Sequence, residues 1–156
     1  MTNQDMTNQD KTNRYDRPNA AARAVNHVFR VLAEAGVSIA GTHALRIRGR
    51  TSGKVRSVVV NLLSIDGRQF LVSPRGDTQW ARNARAAGQA EVGPRWHGRV
   101  VRLDELADDA KPEILRTYLK RWYWEVKGHV GGLTPDSTTE DLRAVAPTIP
   151  VFELVP

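Results

Sequence analysis

The first sixteen residues hold almost no apolar side chain: MTNQD is written twice and KTNRYD follows. Such a stretch can bury nothing, so a disordered polar tail is expected over 1–16. Helical spacing begins just afterwards. Between Asn19 and Ala35, Ala21, Ala24, Val25, Val28, Phe29, Val31, Leu32 and Ala35 share one side. Arg23, Asn26, His27, Arg30 and Glu34 share the other, and Gly36 stops the run, which predicts an amphipathic helix. From His43 to Leu103 the period shortens to that of strands. HALRIRGR, KVRSVVVNLLSI and RQFLVS are separated by TSG and by Asp66-Gly67, the strongest hairpin signal in the chain. AEVGP and WHGRVVRLDEL read as a second pair of strands. Between the pairs, TQWARNARAAG predicts a short helix started by Asp77 or Thr78 and stopped by Gly88.

Helical spacing returns near Asp109. With Pro112 in the first turn, Leu115, Leu119, Trp122 and Val126 line one face, flanked by Ile114 and Tyr118. Trp124 falls on the opposite side and is expected to be exposed or to face a pocket. A Gly-rich loop, a short helix over DLRAV and a last strand, IPVFELV, complete the pattern. The sum is about six strands with helices at the N-terminus, inserted, and toward the C-terminus. The fold class expected is α+β, a small antiparallel β-barrel forming one domain over 17–156.

Composition narrows the chemistry. The chain of 156 residues has no cysteine, which excludes disulfides, thiolate metal sites and cysteine nucleophiles. The histidines His27, His43, His97 and His129 lack metal-ligand spacing, so no metal site is expected. No GxSxG elbow supports a hydrolase triad. No apolar run reaches the roughly 18 residues of a membrane span, and no apolar h-region marks a secretory signal. A cytoplasmic protein is expected, possible at the membrane periphery only through weak contact of the first helix, whose polar side offers Arg23 and Arg30.

Charge points to one region. The net charge is +6, yet residues 43–102 hold 12 Lys/Arg against three acids, Asp66, Asp77 and Glu91. A localised positive field favours an anionic partner, although a solvated basic surface is the plainer reading. In RIRGRTSGKVR, Arg46 and Arg48 share a strand face, Arg50 and Lys54 bracket Thr51-Ser52-Gly53, and Arg56 opens the next strand. Hydroxyls, turn N–H groups and guanidinium forks together make a workable cradle for phosphate or carboxylate. A second candidate is SPRGDTQWARN. Ser73, Pro74, Arg75 and Gly76 lead from a strand into a helix start, and Trp80 and Asn83 share a helix face that could hold a flat heterocycle. A core tryptophan beside a capping amide is the alternative there.

GRTSGKVR at 49–56, a strand, the Asp66-Gly67 turn, a second strand, Trp80 and Asn83 in the spacing WxxN, and the closing IPVFELVP together resemble the deazaflavin-dependent nitroreductase family, also described as F420-dependent quinone reductases. That family belongs to the FMN-binding split-barrel superfamily, and the resemblance spans about residues 20–156. It implies a split barrel that binds coenzyme F420 and passes hydride from the reduced deazaflavin to a quinone or nitroaromatic acceptor. It also implies that Arg50, Thr51, Ser52, Lys54 and Arg56 hold the anionic cofactor tail. The ring would lie near Val58 and Val59 and against Ser73, Pro74, Arg75, Gly76, Gln79, Trp80 and Asn83. Ser73 and Tyr123 are the candidates to stabilise charge developing on the acceptor oxygen. The tyrosines of the family's substrate pocket have no fixed counterpart; Tyr123, or Trp124 in their place, is the nearest match. The rivals are an FMN-binding split-barrel oxidoreductase and a basic nucleic-acid-binding module. No helix-turn-helix or RNA-binding motif supports the latter, so no nucleic acid is expected as a partner. A monomer or a homodimer is expected.

Overall fold

The computed structural model describes Arg23, residues 42–93 and residues 97–156. The polar tail over 1–16 and, apart from the helical Arg23, the first amphipathic helix lie outside the described residues. Six strands form a closed antiparallel barrel: β1 (Thr42–Arg48), β2 (Val55–Ile65), β3 (Arg68–Val72), β4 (Gln89–Val92), β5 (Arg99–Glu105) and β6 (Val151–Val155). Around the barrel they run β1-β2-β3-β6-β5-β4, so β6 enters between β3 and β5, and β4 closes onto β1. Three α-helices accompany them among the described residues: α1 (Gln79–Ala87), α2 (Pro112–Val126) and α3 (Thr139–Val145). This is the α+β split barrel that the strand pattern and the resemblance imply.

Local signals explain the boundaries. Ile65 pairs with Arg68 across Asp66-Gly67, whose φ values of 49° and 78° define the two-residue turn that matches strand twist. Thr78, not Asp77, caps α1, its hydroxyl accepting from the Ala81 N–H. Gly88 ends that helix at φ 67°, a conformation open to glycine at little cost. In α2, Pro112 occupies the first turn, where its missing N–H costs nothing. Trp122 departs from helical geometry (φ −125°, ψ 17°) and kinks the last turn.

The pleat divides burial into two cores. Leu45 and Ile47 of β1, Val60 and Leu62 of β2, and Phe152 and Leu154 of β6 fill the barrel, where Ala81 and Ala84 of α1 join them. On the outside, Leu115, Leu119 and Trp122 of α2 cover Leu63, Phe70, Val72 and Val151. β3 therefore reads as a continuous apolar run, Phe70-Leu71-Val72, because both of its faces are covered. Where β6 leaves this cover, Glu153 turns outward and accepts two hydrogen bonds from Arg68 at 2.7 and 2.8 Å.

That pair generates a pH prediction. The hydrogen bonds and charge of Arg68 hold the Glu153 carboxyl below its ordinary range, and Arg102 does the same for Asp104. A depressed folded-state value means stabilisation that is present above the unfolded pKa, about 4, and lost as pH falls through the folded value. Denaturation midpoints should decline as pH drops from about 5 toward 3. Glu153→Gln should flatten that decline; an unchanged pH profile in this variant would remove the pair from the acid response.

Candidate functional site

The turn between β1 and β2 closes tightly. The Gly49 N–H donates to the Lys54 carbonyl at 2.8 Å, and the Gly53 N–H to the Gly49 carbonyl at 2.9 Å. A Cβ on Gly49 would meet Ser52 Oγ at 3.0 Å and the Lys54 oxygen at 3.2 Å, a close approach that favours glycine at the crossing. Arg48 Nη1 donates to the Gly53 carbonyl at 2.9 Å, and the Arg56 stem runs beside Gly49. Thr51, Ser52, Lys54 and Arg56 are exposed.

Helix α1 grips this turn. Asn83, 7% exposed, accepts at Oδ1 both the backbone N–H of Arg50, at 3.2 Å, and its Nη1, at 2.9 Å. Gln79 Oε1 accepts from the same Nη1 at 2.9 Å. The two regions singled out separately in the sequence are thus one structure. The Asn83 amide oxygen serves as an acceptor for a protein guanidinium.

The structure also sorts the charges of the basic stretch. Arg46 pairs with Glu91 at 2.9 Å. Arg82 and Arg85 engage Asp77, and Arg85 forms a two-pronged contact with Glu105 that raises its already high pKa. Arg68 pairs with Glu153, and Arg102 with Asp104. Arg48, Arg50, Lys54 and Arg56 have no carboxylate partner among the described residues. Arg99, bonded to the Gln69 amide, also meets no carboxylate among the described residues, so the unmatched charge gathers at the turn without being confined to it, while Arg46, which shares a face with Arg48, is drawn off to Glu91.

The loop from β3 into α1 is held from within. The Ser73 N–H donates to the Pro150 carbonyl, and the Gly76 N–H to the Ser73 carbonyl. Gly76 sits at φ 86°. Ser73 is 0% exposed; its hydroxyl donates to the Gly76 carbonyl at 2.7 Å and lies 3.0 Å from Thr78 Oγ1. With the Ser73 hydrogen spent on Gly76, the Thr78 hydrogen falls to Ser73. The expectation that Ser73 donates to an acceptor oxygen meets a hydroxyl that is buried and already used. Pro74 and Arg75 are half-buried, and Arg75 lies 3.2 Å from His129 Nε2. Trp80 is half-buried, its ring 5.8 Å from that of Phe152 and tilted by 53°.

Other candidates stand apart. Val58 faces the barrel interior and Val59 the outside, as adjacent strand residues must. Tyr123 is half-buried against the outer core, and Trp124 is 69% exposed, as the helical spacing predicts. Among the described residues, no ring contact or hydrogen bond joins either to the turn or to α1. One group was not singled out in the sequence. Asn61 Nδ2 donates to Glu125 at 3.3 Å, and Asn61 also bonds the phenol of Tyr118, which burial keeps protonated by pushing its pKa up. Only the pairing of β2 with α2 brings these three together.

No family model and no curated protein matches this sequence. Solved structures do. The protein Atu2129 of Agrobacterium tumefaciens, of unknown function, is 20% identical over 90% of this chain, with a TM-score of 0.51. This chain spans only 57% of that protein's length. A candidate pyridoxamine 5'-phosphate oxidase from Listeria innocua is 12% identical over 74% of this chain and 83% of its own, with a TM-score of 0.50. A reductase dependent on reduced F420 is 19% identical over 73% of this chain and 93% of its own, with a TM-score of 0.48. At these identities the likeness is one of fold. Among the described residues, no helix is long and apolar enough to cross a membrane.

The Thr78 hydroxyl serves both the α1 cap and the Ser73 contact, so Thr78→Ala should lower stability by about 1–2 kcal/mol. Thr78→Ser should recover most of the loss. Urea denaturation reads both; an unaltered midpoint in the alanine variant would show that the cap is not needed.

Proposed function

We propose that the protein is an oxidoreductase that uses a bound deazaflavin of the coenzyme F420 type to reduce a planar, apolar acceptor such as a quinone or a nitroaromatic. The observation behind this reading is the group of four cations, Arg48, Arg50, Lys54 and Arg56, which meet no carboxylate among the described residues, at a turn that α1 holds in place. The split-barrel fold and the order of motifs from GRTSGKVR to IPVFELVP support it.

The donor set suits an extended polyanion. A single phosphate is satisfied by two or three forks or N–H groups, whereas this turn offers four cations together with the Thr51 and Ser52 hydroxyls. That number favours a tail of phosphate and carboxylates over the lone phosphate of FMN. A bound deazaflavin supplies the hydride chemistry, which leaves binding, orientation and electrostatics to the chain. Arg50, Lys54 and Arg56, with Arg48, hold the anionic tail. Pro74, Gly76 and Trp80 offer a wall for a flat ring, and Arg75 adds a positive charge beside it. Only one of Val58 and Val59 can turn its side chain to that ring, since the pleat sends them to opposite faces. Ser73 shapes the loop and leaves the donor role to Tyr123, whose phenol is the group proposed to stabilise charge developing on the acceptor oxygen. Trp124 offers an aromatic lip for the acceptor.

Purified protein titrated with coenzyme F420 and with FMN, read by ring fluorescence, should bind the deazaflavin more tightly. Arg56→Ala should weaken that binding by about 10- to 150-fold without unfolding the barrel. FMN that copurifies at full occupancy and is not displaced by F420 would sink the deazaflavin assignment. With the reduced cofactor, menadione-like quinones should be turned over. Reduction of polar sugar phosphates in their place would overturn the acceptor class while leaving the cofactor standing.

A further inference from the structure

Asn83 and Gln79 meet a guanidinium with neutral oxygens. A carboxylate at either position would accept the same hydrogen bonds and attract Arg50 more strongly, yet it would also cancel the charge. Asn83 is the tighter partner, because one buried oxygen receives both the backbone N–H and the side chain of Arg50. Its orientation follows from chemistry, since both Arg50 groups are donors and only the amide oxygen can accept. Elsewhere on the same helix the opposite choice is made: Arg82 and Arg85 are held by Asp77 and Glu105 and are neutralised. Of the three arginines at this helix, Arg82 and Arg85 are matched with carboxylates, and Arg50 meets none among the described residues.

We infer that Asn83, assisted by Gln79, is a positioning residue: it acts on a polyanionic ligand through Arg50, fixing the guanidinium at the mouth of the turn while preserving its charge. This rests on the reading that the 49–56 turn holds an anion, and it gives Asn83 a task other than contact with a cofactor ring. The consequence is a separation of two quantities that a merely structural amide would move together. In Asn83→Asp the geometry is kept and an ion pair with Arg50 is gained, so the fold should be as stable as before or more so. The charge facing the ligand falls, so anion affinity should drop. In Asn83→Ala both should fall, because the backbone N–H of Arg50 loses its partner and the guanidinium its anchor.

The test uses the full chain and two probes, inorganic pyrophosphate and coenzyme F420, each titrated at fixed ionic strength against wild type, Asn83→Asp, Asn83→Ala, Arg50→Ala and the double variant Arg50→Ala/Asn83→Asp. Urea midpoints are measured in parallel. Pyrophosphate should bind wild type, and Asn83→Asp should weaken it about 10-fold or more with no loss of stability. The aspartate should add little once Arg50 is gone, which is the coupling expected of a residue acting through another. Equal pyrophosphate affinity in wild type and Asn83→Asp, an aspartate effect as large without Arg50 as with it, or no pyrophosphate binding by wild type would each overturn the inference. If pyrophosphate behaves as stated while F420 fails to bind, the role of Asn83 stands and the deazaflavin reading falls.

Discussion

Closure of the barrel depends on the pairing of β6 on both of its edges. Val151 to Leu154 lie opposite Gln69 to Val72 on one side, and Phe152 to Val155 opposite Arg102 to Glu105 on the other. The same strand serves both cores: Phe152 and Leu154 point into the barrel, and Val151 lies under α2. It also anchors the candidate site. Phe152 meets the ring of Trp80, and the carbonyl of Pro150, just before the strand, accepts from Ser73 at the start of the loop that leads into α1. The position of α1, and so the grip on Arg50, follows from how β6 is seated.

Around that frame the protein treats its arginines in two ways. Arg46, Arg68, Arg82, Arg85 and Arg102 are matched with carboxylates, an arrangement that holds elements together and contributes little net field. Arg48 and Arg50 at the β1–β2 turn are held by carbonyl and amide oxygens, which fix position without removing charge. A small protein with a modest net charge can in this way keep a strongly positive spot. Distribution, more than the total, is what an anionic ligand would sense.

Much of the fold was legible because its signals are local. Asp66-Gly67, the Thr78 and Gly88 caps, Pro112 and the stripe from Leu115 to Val126 each act within one or two turns of chain, and each element formed where they place it. The site was legible only in part. The turn and the WARN helix could be named, but their contact joins residues 33 apart, and nothing in either segment says that Asn83 reaches Arg50. The partners of Arg46 and Arg85 lie 45 and 20 residues away, so the sequence showed an excess of charge without showing which charges survive pairing. Ser73 illustrates a related limit. A serine after a strand looks available, and only the backbone bend at Gly76 reveals that its hydrogen is taken.

The place of β6 between β3 and β5 has a consequence for how the chain reaches this shape. Five strands can be made and paired in hairpins while the barrel stays open, with β3 and β5 each presenting an unpaired edge until residues 151–155 arrive. The joining of β6 to β3 spans about eighty residues, a loop closure that must be made before its contacts reward it and that slows folding. During that interval, apolar residues such as Phe70 and Leu71 on an open strand are available to other chains. Residues 151–155 therefore serve as the molecule's own edge cover, and their arrival separates a chain prone to aggregation from one in which the edges of β3 and β5 are paired.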